Sequence, residues 1–171
     1  MQNKTNVDVN DLLFTRDWTR NFLDKIDESK ATGNSVNMDD VMMRCASICY
    51  HNKGMERLIE KFRNLDEFFH FLIHEWNWIL SYDQERNILL CDENKSECIC
   101  PVVRACGGDI SLSMCSCTEG MLNRIFEKAF NKKIHTTLIA SVLRGGKSCV
   151  YEVRIDDLNE SEVAYLSHLQ V

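Results

Sequence analysis

Proline occurs once in the 171 residues, at Pro101, and glycine only seven times. So little of either excludes a collagen-like chain or a low-complexity linker. No apolar run approaches the roughly 20 residues of a membrane-spanning helix, so no membrane partner is expected. Basic charge is short as well: 20 lysines and arginines face 26 aspartates and glutamates, for a formal net charge of -6. An acidic chain repels phosphate backbones, and nucleic acid is not an expected partner. The first residues, MQNKTNVDVN, have neither the basic stretch nor the apolar core of a secretory signal, which makes a cytoplasmic protein the expectation. Walker loop, Rossmann fingerprint, G-x-S-x-G elbow and kinase motifs are all missing.

What is present is an ordinary globular composition, 44% apolar and 27% charged. The length suits a single domain over 1–171 that buries about two-thirds of its unfolded surface. Residues 1–76 read as mainly helical. Phe14, Trp18, Phe22 and Ile26, with Leu23 beside them, predict a helix over 11–27. Asn37 or Asp39 is placed to cap a second helix that turns Val41, Cys45, Ile48 and Cys49 to one side and stops at His51-Asn52-Lys53-Gly54. A third helical stretch runs from Met55 to Trp76. Residues 77–171 read as a hairpin of 78–82 and 87–91, a cysteine-rich loop, a helix capped by Thr118, and a C-terminal hairpin. In that last hairpin Ile134–Val142 and Cys149–Ile155 alternate about an RGGK turn. The tail from Asp156 predicts a short helix.

Nine cysteines are the unusual feature, and five of them lie within residues 98–117, where periodicity disappears. An odd number in an expected reducing compartment disfavours a disulfide scaffold. Two C-x-C pairs, Cys98–Cys100 and Cys115–Cys117, could supply a tetrahedral thiolate site for zinc. Cys45 and Cys49, one helical turn apart, are weaker candidates whose apolar face also suits packing, and His51 follows them as a further weak ligand. Cys91, Cys106 and Cys149 read as structural. Cys117 precedes the helix expected from Thr118, so the helix dipole should depress its pKa and make it the candidate nucleophile. His70 and His74 are four apart, but the metalloprotease order is absent, and a surface pair is favoured. The Arg144–Lys147 turn is accounted for by its hairpin.

The segments CICP, CSCTEGMLNRIFEKAF, HTTLIASVL, RGG and CVYEVRI, spanning Cys98 to Ile155, resemble the C-terminal half of the 4-vinyl reductase-like ligand-binding domains. That superfamily includes the domains associated with haem-based nitric oxide sensors and the TRAPP tethering subunits. A bacterial family resembling L-2-amino-thiazoline-4-carboxylic acid hydrolase has a similar cysteine–proline loop and GG-x-x-C ending. The resemblance covers about a third of the chain. It implies an α/β (α+β) fold, a twisted antiparallel sheet packed against helices, with a small-molecule pocket between them. It also implies ligand or metal binding through Cys98, Cys100, Cys117 and Cys149.

Three functions follow. The favoured one is a small-molecule- or metal-binding, sensor-like domain built on the cysteine-rich site. The second is a metal- or thiol-dependent hydrolase of a small cyclic amide or amidine, which needs an open metal position or Cys117 as nucleophile, with His51 or His135 brought near as base. The third is a structural or interaction domain. A homodimer is left open.

Overall fold

The structure, a computed structural model, describes residues 9–10, 12–19, 22, 37–106 and 110–169. Residues 12–19 are helical (α1), inside the stretch expected over 11–27, while Leu23 and Ile26 lie outside the described residues. Trp18 is buried there and stacks on Phe22 with ring centroids 5.1 Å apart. Helix α2, Met38–Asn52, turns Val41, Cys45 and Cys49 inward as the spacing predicts. It runs through His51 and Asn52 before Gly54, at φ 64°, breaks it. That left-handed conformation suits a residue without a Cβ.

The single helix expected over 55–76 is two: α3, Met55–Ile59, and α4, Leu65–His74. Asn64 is the reason. Its backbone is extended and its Oδ1 accepts from the Glu67 N–H at 3.0 Å, so it starts a new helix rather than continuing the old one.

Strands β1, Ile79–Asp83, and β2, Ile88–Asp92, form the first hairpin within a residue of its expected bounds. Strands β3, Ile134–Ala140, and β4, Val150–Ile155, form the second. All pairings are antiparallel, in the order β1-β2-β4-β3. Leu80, Cys91, Tyr151 and Leu138 consequently stand in one row across the inward face. The turn of the second hairpin is longer than a Gly-Gly reversal. Residues 141–149 make it, through a 3-10 turn at Val142–Arg144 whose Arg144 N–H bonds Ser141 Oγ at 3.2 Å.

The aperiodic stretch holds a short helix that periodicity does not reveal, α5, Pro101–Ala105, with the proline in its first turn. A 3-10 turn, Leu112–Cys115, then feeds directly into α6, Ser116–Phe130. Thr118 is therefore inside the first turn of α6 rather than its cap, and Cys117 is a helical residue rather than the one preceding the helix. The tail forms α7, Glu160–Ser167, started by a capping box between Asn159 and Glu162.

Helix α6 organises the packing. One face meets the sheet side of the core, where Phe126 and Phe130 contact Phe68 and Phe69 at centroid distances of 5.7 and 5.9 Å. Another meets α2 so closely that a Cβ on Gly120 would lie 2.4 Å from the Met43 carbonyl oxygen. The same helix bonds the edge strand: Asn123 Oδ1 accepts from the Thr136 N–H at 2.8 Å and Glu119 Oε1 from the Leu138 N–H at 2.7 Å. Two apolar clusters result, a large one between sheet and helices and a smaller one of α1, α2, α5 and the start of α6, with Met121 packed against both. The expected mixture of an antiparallel sheet and N-terminal helices is thus what the chain forms. No helix among the described residues is long and apolar enough to cross a membrane.

Candidate functional site

Where the smaller cluster meets the sheet, a cavity of about 50 Å³ remains. Six cysteines line it: Cys98, Cys100, Cys115 and Cys117 from the two C-x-C pairs, with Cys49 from α2 and Cys149 from the approach to β4. Its apolar wall comes from Pro101, Val103, Met114, Met121 and Leu143, and the exposed side chains of Lys53 and Ile99 stand at its rim. Glu93 and Tyr151 make a polar end. The Tyr151 hydroxyl donates to Glu93 Oε1 at 3.3 Å, and both residues are buried.

Each element delivers its thiol for a local reason. Cys100 precedes the Pro101 helix and is held by that helix's first turn. The junction of 3-10 turn and α-helix carries Cys115 to Ser141 Oγ, 3.3 Å away, and Cys117 into the cavity wall. There Cys117 Sγ meets Cys49 Sγ at 3.7 Å, a contact enforced by the close packing of α2 on α6.

Burial governs the protonation of this site, because removing water disfavours a charged thiolate or carboxylate. It pushes Cys100 and Cys149 up to about 11 and raises Cys98. Burial likewise holds the Glu93 carboxyl above its ordinary range, opposed by the Tyr151 hydroxyl and by Lys95 and Lys53. Cys117 does not have the depressed pKa expected of it. Sharing a proton with Cys49 raises it first and burial adds to that, and both outweigh its place at the start of α6. Cys49 moves down instead, through its hydrogen bond with Cys117 and the nearby charge of Lys53, although burial opposes the shift.

Of the residues that spacing singles out, Cys98, Cys100, Cys115 and Cys117 all come to one cavity. Among the described residues no group of three or more His, Cys, Asp or Glu side chains is arranged to hold a metal ion. Cys45 is packed in the smaller cluster, 1% exposed, and does not line the cavity. His51 is exposed at the end of α2, and His135 is exposed on β3, 3.9 Å from Asp156. No described histidine lines the cavity. His70 and His74 are an exposed pair with ring centroids 4.1 Å apart. Cys91 is wholly buried in the sheet and Cys106 is exposed. The polar end, Glu93 with Tyr151, is not among the candidates that motif and spacing supply. The signal that reaches Glu93 is the alternation that turns Leu89 and Cys91 inward, continued by two residues.

Fold and site together define a mixed α/β domain whose antiparallel sheet and helices enclose a small cysteine-lined cavity. Among solved structures, a trafficking protein particle complex subunit 3 from Naegleria fowleri, covalently bound to palmitic acid, matches with a TM-score of 0.51. It is 11% identical, and the match covers 89% of this chain and 99% of that one. A vinyl-4-reductase family protein from Methanocaldococcus jannaschii matches with a TM-score of 0.34 and 13% identity, over 92% of this chain and 99% of that one. No family model and no curated protein matches the sequence. The first likeness shows a shared fold, and the expected α/β architecture of an antiparallel sheet packed against helices is met.

Proposed function

We propose that the protein is a small-molecule-binding domain that takes a compact, largely apolar ligand into the cysteine-lined cavity. The observation that carries this reading is the cavity itself: apolar walls with a few converging polar groups are the general form of a small-ligand site. Glu93 and Tyr151 are placed to hydrogen-bond the ligand's polar group, while Met114, Met121 and Leu143 cover its apolar part. Size selects among ligands. The cavity's roughly 50 Å³ is about a third of the ~150 Å³ that accommodates benzene in an engineered protein cavity. A ring, and still more a long acyl chain such as the palmitic acid of the TRAPP subunit, needs more room than this, so the ligand the cavity fits is one of a few heavy atoms. His51 and His135, the two histidines considered as base in the hydrolase reading, are exposed and do not line the cavity.

The test is a titration of the full chain with acetic acid, ethanol and ethanethiol, followed by calorimetry and thermal unfolding, with benzene and palmitic acid as size controls. At least one small probe is expected to saturate and to raise Tm by about 5–10 °C at a hundredfold excess over Kd. Leu143→Trp, which fills the cavity, should abolish that binding while keeping the fold. Binding that is unchanged in this variant, or no binding by any of the small probes, would refute the proposal.

A further inference from the structure

We propose that Cys49 and Cys117 form a reversible dithiol–disulfide site in the cavity wall, oxidised by hydroperoxides and reduced by small thiols. The geometry of the pair carries this, whichever ligand the cavity takes. The two sulfurs are 3.7 Å apart, on residues 68 positions apart in sequence. Both are nearly water-free, at 7% and 4% exposure, yet both line the cavity, so a small oxidant entering past Lys53 meets them together. A disulfide needs a sulfur separation of about 2.05 Å, so closure requires a combined approach of under about 2 Å, within reach of side-chain rotation. The helices that carry them are held at backbone contact by Gly120, which keeps the thiols facing each other through the reduced and oxidised forms.

The surroundings divide the labour between the two sulfurs. Cys49 lies four residues before Lys53, whose exposed cationic side chain stands at the cavity rim and favours a thiolate there, so Cys49 is taken as the attacking sulfur. Its electron pair attacks one peroxide oxygen, and the O–O bond breaks. Cys49 becomes a sulfenic acid, and the departing hydroxide takes a proton to leave as water. Cys117 then resolves the intermediate. Its sulfur attacks the Cys49 sulfur, the S–O bond breaks, and hydroxide leaves with the Cys117 proton as a second water. Two thiols and one hydrogen peroxide thus yield one disulfide and two waters.

The experiment uses the reduced full chain, treated with hydrogen peroxide, blocked with N-ethylmaleimide and mapped by peptide mass spectrometry. A cross-linked peptide pair containing Cys49 and Cys117 is expected, lost on treatment with dithiothreitol. Oxidation should also raise Tm by on the order of 10 °C, because the bond closes a long loop in the unfolded chain. Cys49→Ser and Cys117→Ser should each abolish the cross-link, whereas Cys106→Ser should leave it intact. Mapping of the unsubstituted chain decides the matter even where a variant folds poorly. Oxidation confined to the exposed Cys106, or Cys49 and Cys117 linked to other cysteines instead of each other, would overturn the proposal. A failure of ligand titration leaves this result unaffected, so the two proposals fail separately.

Discussion

Glu93 lies two positions beyond Cys91 and leaves β2 on the same inward side, so a carboxyl from an acidic loop ends among apolar walls. Its proton is held by burial. Because its folded-state pKa is raised, the stability linked to this group is complete below the unfolded carboxylate value of about 4.3 and is lost as pH rises through the folded value. Glu93→Gln removes that dependence. At pH 8 the variant should be more stable than the parent chain, with a flatter pH profile, as read by denaturant unfolding at several pH values. An unchanged profile would mean that the carboxyl is already solvated. The thiols show the opposite lesson about a single residue. Cys117 has a local argument for reactivity, the helix end, and a neighbour 68 residues away reverses it. Nothing in the spacing of Cys49 and Cys117 announces that contact. It exists because two helices pack, and helix packing partners are not written in either helix alone.

At the level of elements, periodicity is a good guide where one face is buried and one is wet. The strands β3 and β4 and the helices α2 and α6 follow from alternation and four-residue spacing. It fails where local chemistry cuts across the pattern. Asn64 divides a continuous apolar stretch by capping, and Pro101 starts a helix too short to show a period. Gly120 illustrates a requirement that composition hides. A methyl group there would meet the Met43 carbonyl oxygen at 2.4 Å and the Ala46 Cβ at 2.8 Å, with no flexible side-chain end to yield. Gly120→Ala should therefore destabilise the protein by about 2–3 kcal/mol, despite alanine's better helix propensity. Equilibrium denaturation measures it. A neutral or stabilising effect would show that α2 and α6 can separate freely.

At the level of the molecule, the two apolar clusters share α6 and the side chain of Met121. Trp18 reports on the smaller cluster, while Trp76 and Trp78 report on the larger, so the chain carries its own probes of cooperativity. If α6 couples the clusters, Trp18→Phe and the double variant Trp76→Phe, Trp78→Phe should each show fluorescence and circular dichroism transitions that coincide at one denaturant midpoint. Separate midpoints would mean that the cluster bearing the thiols opens while the sheet stays folded. The loop cysteines, by their spacing alone, point to the right region of the molecule, since all four C-x-C residues face one cavity. The carboxyl, the tyrosine and the facing thiol of Cys49 are not legible in that spacing, because sheet register and helix contact bring them there.

The sheet has two edges, and they are unequally guarded. On β3, Asn123 and Glu119 already hold the N–H groups of Thr136 and Leu138, so an incoming strand would have to displace two side-chain bonds to pair there. The opposite edge is β1, where Ile79 is 43% exposed. Any self-association or fibril-type growth by strand addition is thereby directed to one side of the molecule, which makes aggregation a one-ended process that a charged residue in place of Ile79 should slow.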